Sequence, residues 1–222
     1  MIKVRNLQKT YGHGPTAVHA LKGINLDVND GEFIAIMGRS GSGKSTLLHL
    51  LGLLDKPTGG ELYIDNMDVL QLHEMDRQQF RLEKLGYIFQ EYSLIGELTI
   101  MENVFLPALT ANGNRDYRKR AREMLEIVGL GQRLGHYPNE ISGGEQQRVA
   151  IARSLINEPK ILFADEPTAS LDVESALTVL QLFKKLNREL GQTIVMVTHE
   201  PDDEIYVDRV IRVHSGLIIE RT

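Results

Sequence analysis

Residues 38–45 read GRSGSGKS and fit the pattern G-x-x-x-x-G-K-[ST]. This octet constrains the fold on both of its sides. An apolar run, Phe33–Met37, precedes it and reads as a strand, while Thr46–Leu54 follows with the pattern of a helix. Gly38, Gly41 and Gly43 permit the backbone angles and close approach that a loop wrapped around phosphate oxygens requires. The following helix turns its positive end toward the same point. Lys44 then reaches the β- and γ-phosphates of a nucleoside triphosphate, and the Ser45 hydroxyl ligates Mg²⁺. The binding segment so defined comprises Gly38, Arg39, Ser40, Gly41, Ser42, Gly43, Lys44, Ser45 and Thr46. The alternative is a glycine-rich turn with a stray lysine, for which the flanking strand and helix would be coincidence.

Strand-like runs recur at Ile2–Asn6, Gly23–Val28, Glu61–Ile64, Gly86–Phe89, Lys160–Ala164, Thr193–Thr198, Asp208–Val213 and Leu217–Glu220. Between them lie amphipathic helical stripes, one through Tyr117, Ala121, Met124, Leu125 and Val128, another through Ala176, Val179, Leu180, Phe183, Leu186 and Leu190. The alternation predicts an α/β fold with an at least partly parallel sheet. Turn punctuation sits at Asp55–Gly60, Ala111–Asn114 and His214–Gly216. With 222 residues the chain suits one domain, with a core over about 1–90 and 160–222 and an inserted helical lobe over about 91–159.

Several classes are excluded by composition. A formal charge of −5 argues against a general nucleic-acid binder, and the absence of cysteine removes disulfides, thiolate metal sites and a cysteine nucleophile. The most apolar stretch, Leu47–Leu54, is far shorter than a bilayer requires, and the first residues lack the apolar core of a secretory signal. The protein is therefore expected to stay in the compartment where it is made.

Three more strand ends carry side chains suited to phosphate or metal. Lys160–Glu166 is an apolar run ending in two acids, and Gln90 and His199 each follow a strand-like run. If these strands lie parallel beside the loop, their carboxyl ends share its edge of the sheet. Asp165 would then hold Mg²⁺, and Glu166 would accept a proton from attacking water. Each residue alone is equally consistent with an ordinary strand end or loop. Ile141–Gln147, ISGGEQQ, places Ser-Gly-Gly ahead of a helical run, either as a plain N-cap or as a second anion-binding helix start. A single chain with one phosphate loop has no need of a second such site, whereas two chains arranged head to tail would use it.

With these segments in order, the chain strongly resembles the ATP-binding subunits of ABC transporters over essentially its whole length. Tyr11 resembles the aromatic that stacks on adenine, Gly38–Ser45 the Walker A loop, and Gln90 the Q-loop. Ser142, Gly143 and Gly144 match the signature motif, Asp165 and Glu166 the end of Walker B, Ala169–Asp172 the D-loop, and His199 the switch histidine. The segments GLLDKPTGGELYID and FQEYSLIGELTIMENVFLPAL are most similar to the lipoprotein-release and macrolide-efflux group, the LolD/MacB-like ATPases. Departures are Arg39 for a common Pro, Ile141 and Glu145 for Leu and Gln of the signature, ASLD for SALD, and Glu200 for Asp.

The resemblance implies a P-loop NTPase domain with a mainly parallel core sheet, a small antiparallel β part and an inserted helical subdomain. It implies ATP hydrolysis by Glu166, His199 and Lys44, with Mg²⁺ held by Ser45, Gln90 and Asp165. Tyr11, Gly38–Thr46, Gln90, Ser142, Gly143, Gly144 and Asp172 would contact nucleotide. A homodimer would form around two Mg-ATP and drive a separate membrane permease at the inner face of the cell membrane, with its cytoplasmic helix received near Gln90–Pro107. An FtsE-like ATPase, which drives a membrane protein controlling cell-envelope enzymes without transport, carries the same motifs. Soluble ABC ATPases of the chromosome-maintenance or translation-factor kind usually insert a coiled coil or duplicate the domain, and a non-catalytic regulatory module would not need Glu166 and His199.

Overall fold

The computed structural model describes residues 1–110 and 116–221, so the turn expected at Ala111–Asn114 lies outside the described residues. In chain order the strands are β1 Ile2–Tyr11, β2 Val18–Val28, β3 Phe33–Met37, β4 Gly59–Ile64, β5 Met67–Asp68, β6 Leu85–Ile88, β7 Ile161–Asp165, β8 Thr193–Thr198, β9 Arg209–His214 and β10 Leu217–Arg221. The α-helices are α1 Lys44–Leu51, α2 Glu74–Lys84, α3 Ile100–Phe105, α4 Tyr117–Ile127, α5 Gly143–Leu155 and α6 Val173–Leu190.

Two sheets result. One is antiparallel, in the order β2-β1-β4-β5, and the other has six strands in the order β10-β9-β3-β8-β7-β6. In the larger sheet β9, β3, β8, β7 and β6 run parallel, and β10 pairs antiparallel at the edge. Its central strands β3 and β8 are buried at every position because both faces are covered. Phe33, Ala35 and Met37 join one core with Val149, Ile151, Phe183 and Leu186 of α5 and α6. Ile34 and Ile36, pointing the other way, join a second core with Leu47, Leu50 and Leu51 of α1 and with Val4, Leu26 and Leu62 of the antiparallel sheet.

Some boundaries differ from the sequence pattern. Helix α1 ends at Leu51 rather than Leu54, because Gly52 caps it and Leu53 turns to a φ of 60°. Strand β1 continues past Asn6, which takes a φ of 47° at a register shift against β2 and β4. Helix α2 and the two-residue β5 had no counterpart in the pattern read from the sequence.

Candidate functional site

The carboxyl ends of β3, β8, β7 and β6 form one continuous edge. They deliver the glycine-rich loop, His199, the Asp165–Glu166 pair and Gln90. The acid-bearing strand is not the immediate neighbour of the loop strand, as the sequence reading assumed; β8 lies between them. The loop nevertheless meets the acid, because α1 leans across the edge and its Ser45 Oγ donates to Asp165 Oδ1 at 3.1 Å.

Two glycines of the loop, Gly38 and Gly43, sit where a side chain would clash with neighbouring backbone. Gly38 has a φ of +156°, and a Cβ there would lie 2.2 Å from the Val213 carbonyl oxygen. Gly43, the N-cap of α1, has a φ of +106° and a Cβ that would lie 2.7 Å from the Ala20 carbonyl. The Gly216 amide donates to the Ser42 carbonyl at 2.9 Å, and the Lys22 amide to the Gly216 carbonyl at 2.9 Å. Strand β2 and the β9–β10 turn therefore brace the loop from behind.

Lys44 is 6% exposed and its Nζ donates to the Arg39 carbonyl at 3.3 Å. A cavity of about 290 Å³ is lined by Ser40, Gly41, Gly43, Lys44, Ser45, Thr46 and Glu166, with His19, Ala20, Lys22 and Gly216 opposite. A neighbouring cavity of about 790 Å³ carries Gly38, Arg39, Ser40, Lys44, Glu166 and His199, with Glu204 and Arg212. Ser40, Lys44 and Glu166 are common to both. The Ser42 hydroxyl is buried without a hydrogen-bond partner among the described residues.

Glu166 adopts a φ of 47°, held there as its amide donates to the Val197 carbonyl at 2.9 Å. Such a conformation in a non-glycine residue is a form of stored strain that concentrates at functional positions. His199 Nδ1 lies 3.5 Å from Glu166 Oε2, and its Nε2 lies 3.1 Å from Glu200 Oε1. Gln90 is exposed and lines neither cavity, but it lies two residues beyond Ile88, the partner of Ala164 in the β6–β7 register. The β6–β7 pairing stops there, so Gln90 leaves the sheet at the same end as Asp165 and Glu166. Tyr11, at the end of β1, is 42% exposed and also lines neither cavity.

Ser142, Gly143 and Gly144 line neither of these cavities. Ser142 caps α5 through a reciprocal pair, the Glu145 amide donating to Ser142 Oγ at 3.2 Å and the Ser142 amide to Glu145 Oε2 at 2.9 Å. Glu145, a departure from the signature pattern, thus completes a capping box, and the Ser142 amide holds its carboxyl below the usual range. Asp172 caps α6 by accepting from the Ser175 amide at 2.9 Å, which lowers its pKa. The two helix starts pack closely: a Cβ at Gly144 would lie 2.5 Å from Ser175 Oγ, and one at Gly143 would lie 2.7 Å from the Tyr92 hydroxyl.

His49 was not singled out from the sequence. It follows Ser45 by one helical turn, and its Nε2 lies 3.5 Å from Asp165 Oδ2. The hydrogen bond with Asp165 raises its pKa against the opposing effect of burial. The i, i+4 spacing from Ser45 was the available signal. Lys22 and Arg212 carry no local motif and reach the cavities only through tertiary folding.

The sequence pattern described as ABC transporter matches residues 21–169. An uncharacterized ABC transporter ATP-binding protein of Methanocaldococcus jannaschii, MJ1508, is 51% identical over 221 residues, covering 99% of this chain and 98% of the relative. The macrolide export ATP-binding/permease protein MacB of Chlorobaculum tepidum is 44% identical over 220 residues, and the chain spans 34% of that longer protein. The dimeric, post-hydrolysis structure of the ATP-binding cassette MJ0796 bound to ADP and Pi superposes with a TM-score of 0.91 at 44% identity, covering 100% of this chain and 98% of that one. Sequence, fold and the layout of the loop edge agree, and the chain belongs to the ABC transporter family.

Proposed function

We propose that the chain is the ATP-hydrolysing subunit of an ABC transporter, working as a head-to-tail pair around two ATP molecules. One observation carries this reading. Lys44, Ser45, Asp165, Glu166 and His199 lie along a single edge, while Ser142, Gly143 and Gly144 of the second anion-competent helix start line neither of the cavities there. A second copy, arranged head to tail, would bring that element onto the nucleotide of the first.

ATP would lie with its phosphates in the loop from Gly38 to Thr46, facing the Lys44 ammonium and the N-terminus of α1. Ser45 Oγ and Asp165 Oδ1 form the paired oxygen donors that a hard cation selects, so these two, with Gln90, would hold Mg²⁺, which offsets phosphate charge. Glu166 would take the proton of the attacking water, and His199, kept beside it, would orient the γ-phosphate.

The same reading divides the chain into a core of about 1–90 and 160–222 and a helical subdomain of about 91–159. Where they meet, a groove of about 490 Å³ is lined by Arg81, Tyr87, Phe89, Pro107, Arg153 and Asn157. Arg153 ties α5 to the segment beyond Gln90 by donating to the Tyr92 and Ser93 carbonyls at 2.9 and 2.6 Å. This groove is the docking place for a helix of a separate membrane permease, which would hold the subunit at the inner face of the membrane. Among the described residues no helix is long and apolar enough to cross a bilayer. The macrolide-export relatives favour export, and the resemblance to the LolD/MacB-like group adds a lipoprotein-type substrate beside a macrolide-type one.

Lys44→Ala tests the core of the proposal, because it removes the charge facing the phosphates. ATPase activity should fall roughly 10³-fold. Activity within about twofold of wild type would overturn the phosphate-loop assignment.

A further inference from the structure

Tyr11 is not a free surface aromatic. Its hydroxyl donates to Asp55 Oδ2 at 2.9 Å, and the Lys9 ammonium sits 4.7 Å from its ring centroid. Lys9 is 8% exposed, and its Nζ donates to Asp55 Oδ1 and to the Lys56 carbonyl, both at 2.7 Å. One carboxylate therefore holds both the phenol and the cation that covers one face of the ring. Asp55 is itself fixed, since its carbonyl accepts from the buried Arg77 of α2 at 2.6 Å and its Oδ1 accepts from the Lys56 amide at 2.6 Å.

We propose that Lys9 and Asp55 are positioning residues for Tyr11, fixing its ring so that one face is closed by the ammonium and only the other is presented to the adenine base. The proposal rests on the reading of Tyr11 as the stacking aromatic. An exposed tyrosine would otherwise have to be ordered when nucleotide binds, and ordering it beforehand improves affinity by about two- to tenfold. The cation also draws ring electron density toward the covered face, which suits the open face to an electron-rich purine. Burial works to raise the Asp55 carboxyl, but Lys9, the Lys56 amide and Tyr11 outweigh it and hold it below the usual range. The carboxylate that grips Tyr11 thus stays ionised at neutral pH. Burial raises the Tyr11 phenol, with Thr46 opposing and Asp55 adding to the rise, so the donor keeps its proton.

The test compares Tyr11→Phe, which removes only the hydroxyl, Lys9→Met, which removes only the cation, and Tyr11→Ala. KM for ATP and kcat are measured for each, together with Kd for ADP and for inorganic tripolyphosphate, which has no base. Tyr11→Phe and Lys9→Met should each raise KM about two- to tenfold with kcat within about twofold, and leave tripolyphosphate binding unchanged. In the Tyr11→Ala background, Lys9→Met should add nothing, because its partner in the task is already gone. Additive losses in that background, or wild-type KM values for both single variants while Tyr11→Ala raises KM, would overturn the positioning role. A wild-type KM for Tyr11→Ala would instead remove the stacking role of Tyr11, and the positioning claim with it. Tyr11→Phe loses a single oxygen from a half-exposed ring, so its folding is not at risk.

Discussion

At position 38 a Cβ would lie 2.2 Å from the Val213 carbonyl oxygen and 2.8 Å from Ser42 Oγ, on a backbone whose φ is +156°. The nearer neighbour is backbone, which cannot swing aside. At Gly41, three residues along the same loop, φ is +73° and nothing lies within 4 Å of the corresponding position. The two glycines therefore separate close approach from conformation. Gly38→Ala should cost about 1–3 kcal/mol in overpacking alone and lower Tm by roughly 3–10 °C. Gly41→Ala should cost no more than about 1 kcal/mol, from the left-handed backbone. Thermal unfolding of both variants checks this, and equal shifts would mean that the carbonyl of Val213 does not set the limit. In the sequence both read simply as glycines of one phosphate loop; the neighbour that distinguishes them comes from β9, about 175 residues away along the chain.

At the scale of elements, the turn after β8 shows how a histidine is aimed. Thr198 Oγ1 donates to the buried Asp203 Oδ2 at 2.6 Å and accepts from the Glu200 amide at 3.1 Å, so the His199 peptide is bracketed on both sides. Burial raises the Asp203 pKa; Thr198 and His199 work against the rise, while Glu200 and Asp202 add to it. A folded-state carboxyl that holds its proton more tightly than the unfolded one gives a contribution that is largest in acid and is lost as pH climbs to the raised value. Asp203→Asn removes this dependence. Its Tm relative to wild type should therefore be higher at neutral pH than near pH 4, and a pH-independent difference would contradict the buried-acid account. A shift in kcat with KM unchanged would accompany it if the bracket aims His199.

No sequence pattern announced Asp203, which reads as one more acid in PDDE. Elements with strong periodicity were legible: β3 and β8 match to the residue, and α4 and α6 follow their apolar stripes. Helix α2 was not, because the residue it buries is Arg77, whose guanidinium donates to the Leu53 and Asp55 carbonyls in the turn after α1. A polar side chain with a tertiary job leaves no hydrophobic trace. The site was legible through its ordered motifs, and the part hidden from them is the framework: His49, Lys22, Arg212 and the Lys9–Asp55 pair.

For the molecule as a whole, the prediction concerns two copies. Glu166→Gln keeps the shape of the side chain but cannot take a proton from water at neutral pH, and it changes the formal charge from −5 to −4 per chain. This variant should bind Mg-ATP, turn it over very slowly and become a stable dimer. ADP lacks the phosphate that would lie between Lys44 of one chain and Ser142 and Gly144 of the other, and should leave it monomeric. Adding Ser142→Arg should also abolish the dimer. Light scattering after size exclusion decides: a variant monomeric in saturating Mg-ATP, or equally dimeric in ADP, would rule out the head-to-tail arrangement. The proposed sharing of each site between Lys44 of one copy and Ser142 of the other has a further consequence, for mixtures of damaged chains. Lys44→Ala and Ser142→Arg should each be inactive as pure populations, since every site in either pair would contain the lesion. Mixing the two variants lets hybrid pairs form. In a hybrid both lesions fall into one site, and the other inherits an intact Lys44 from one parent and an intact Ser142 from the other. Two silent proteins, combined in one tube, should then regain a measurable fraction of turnover.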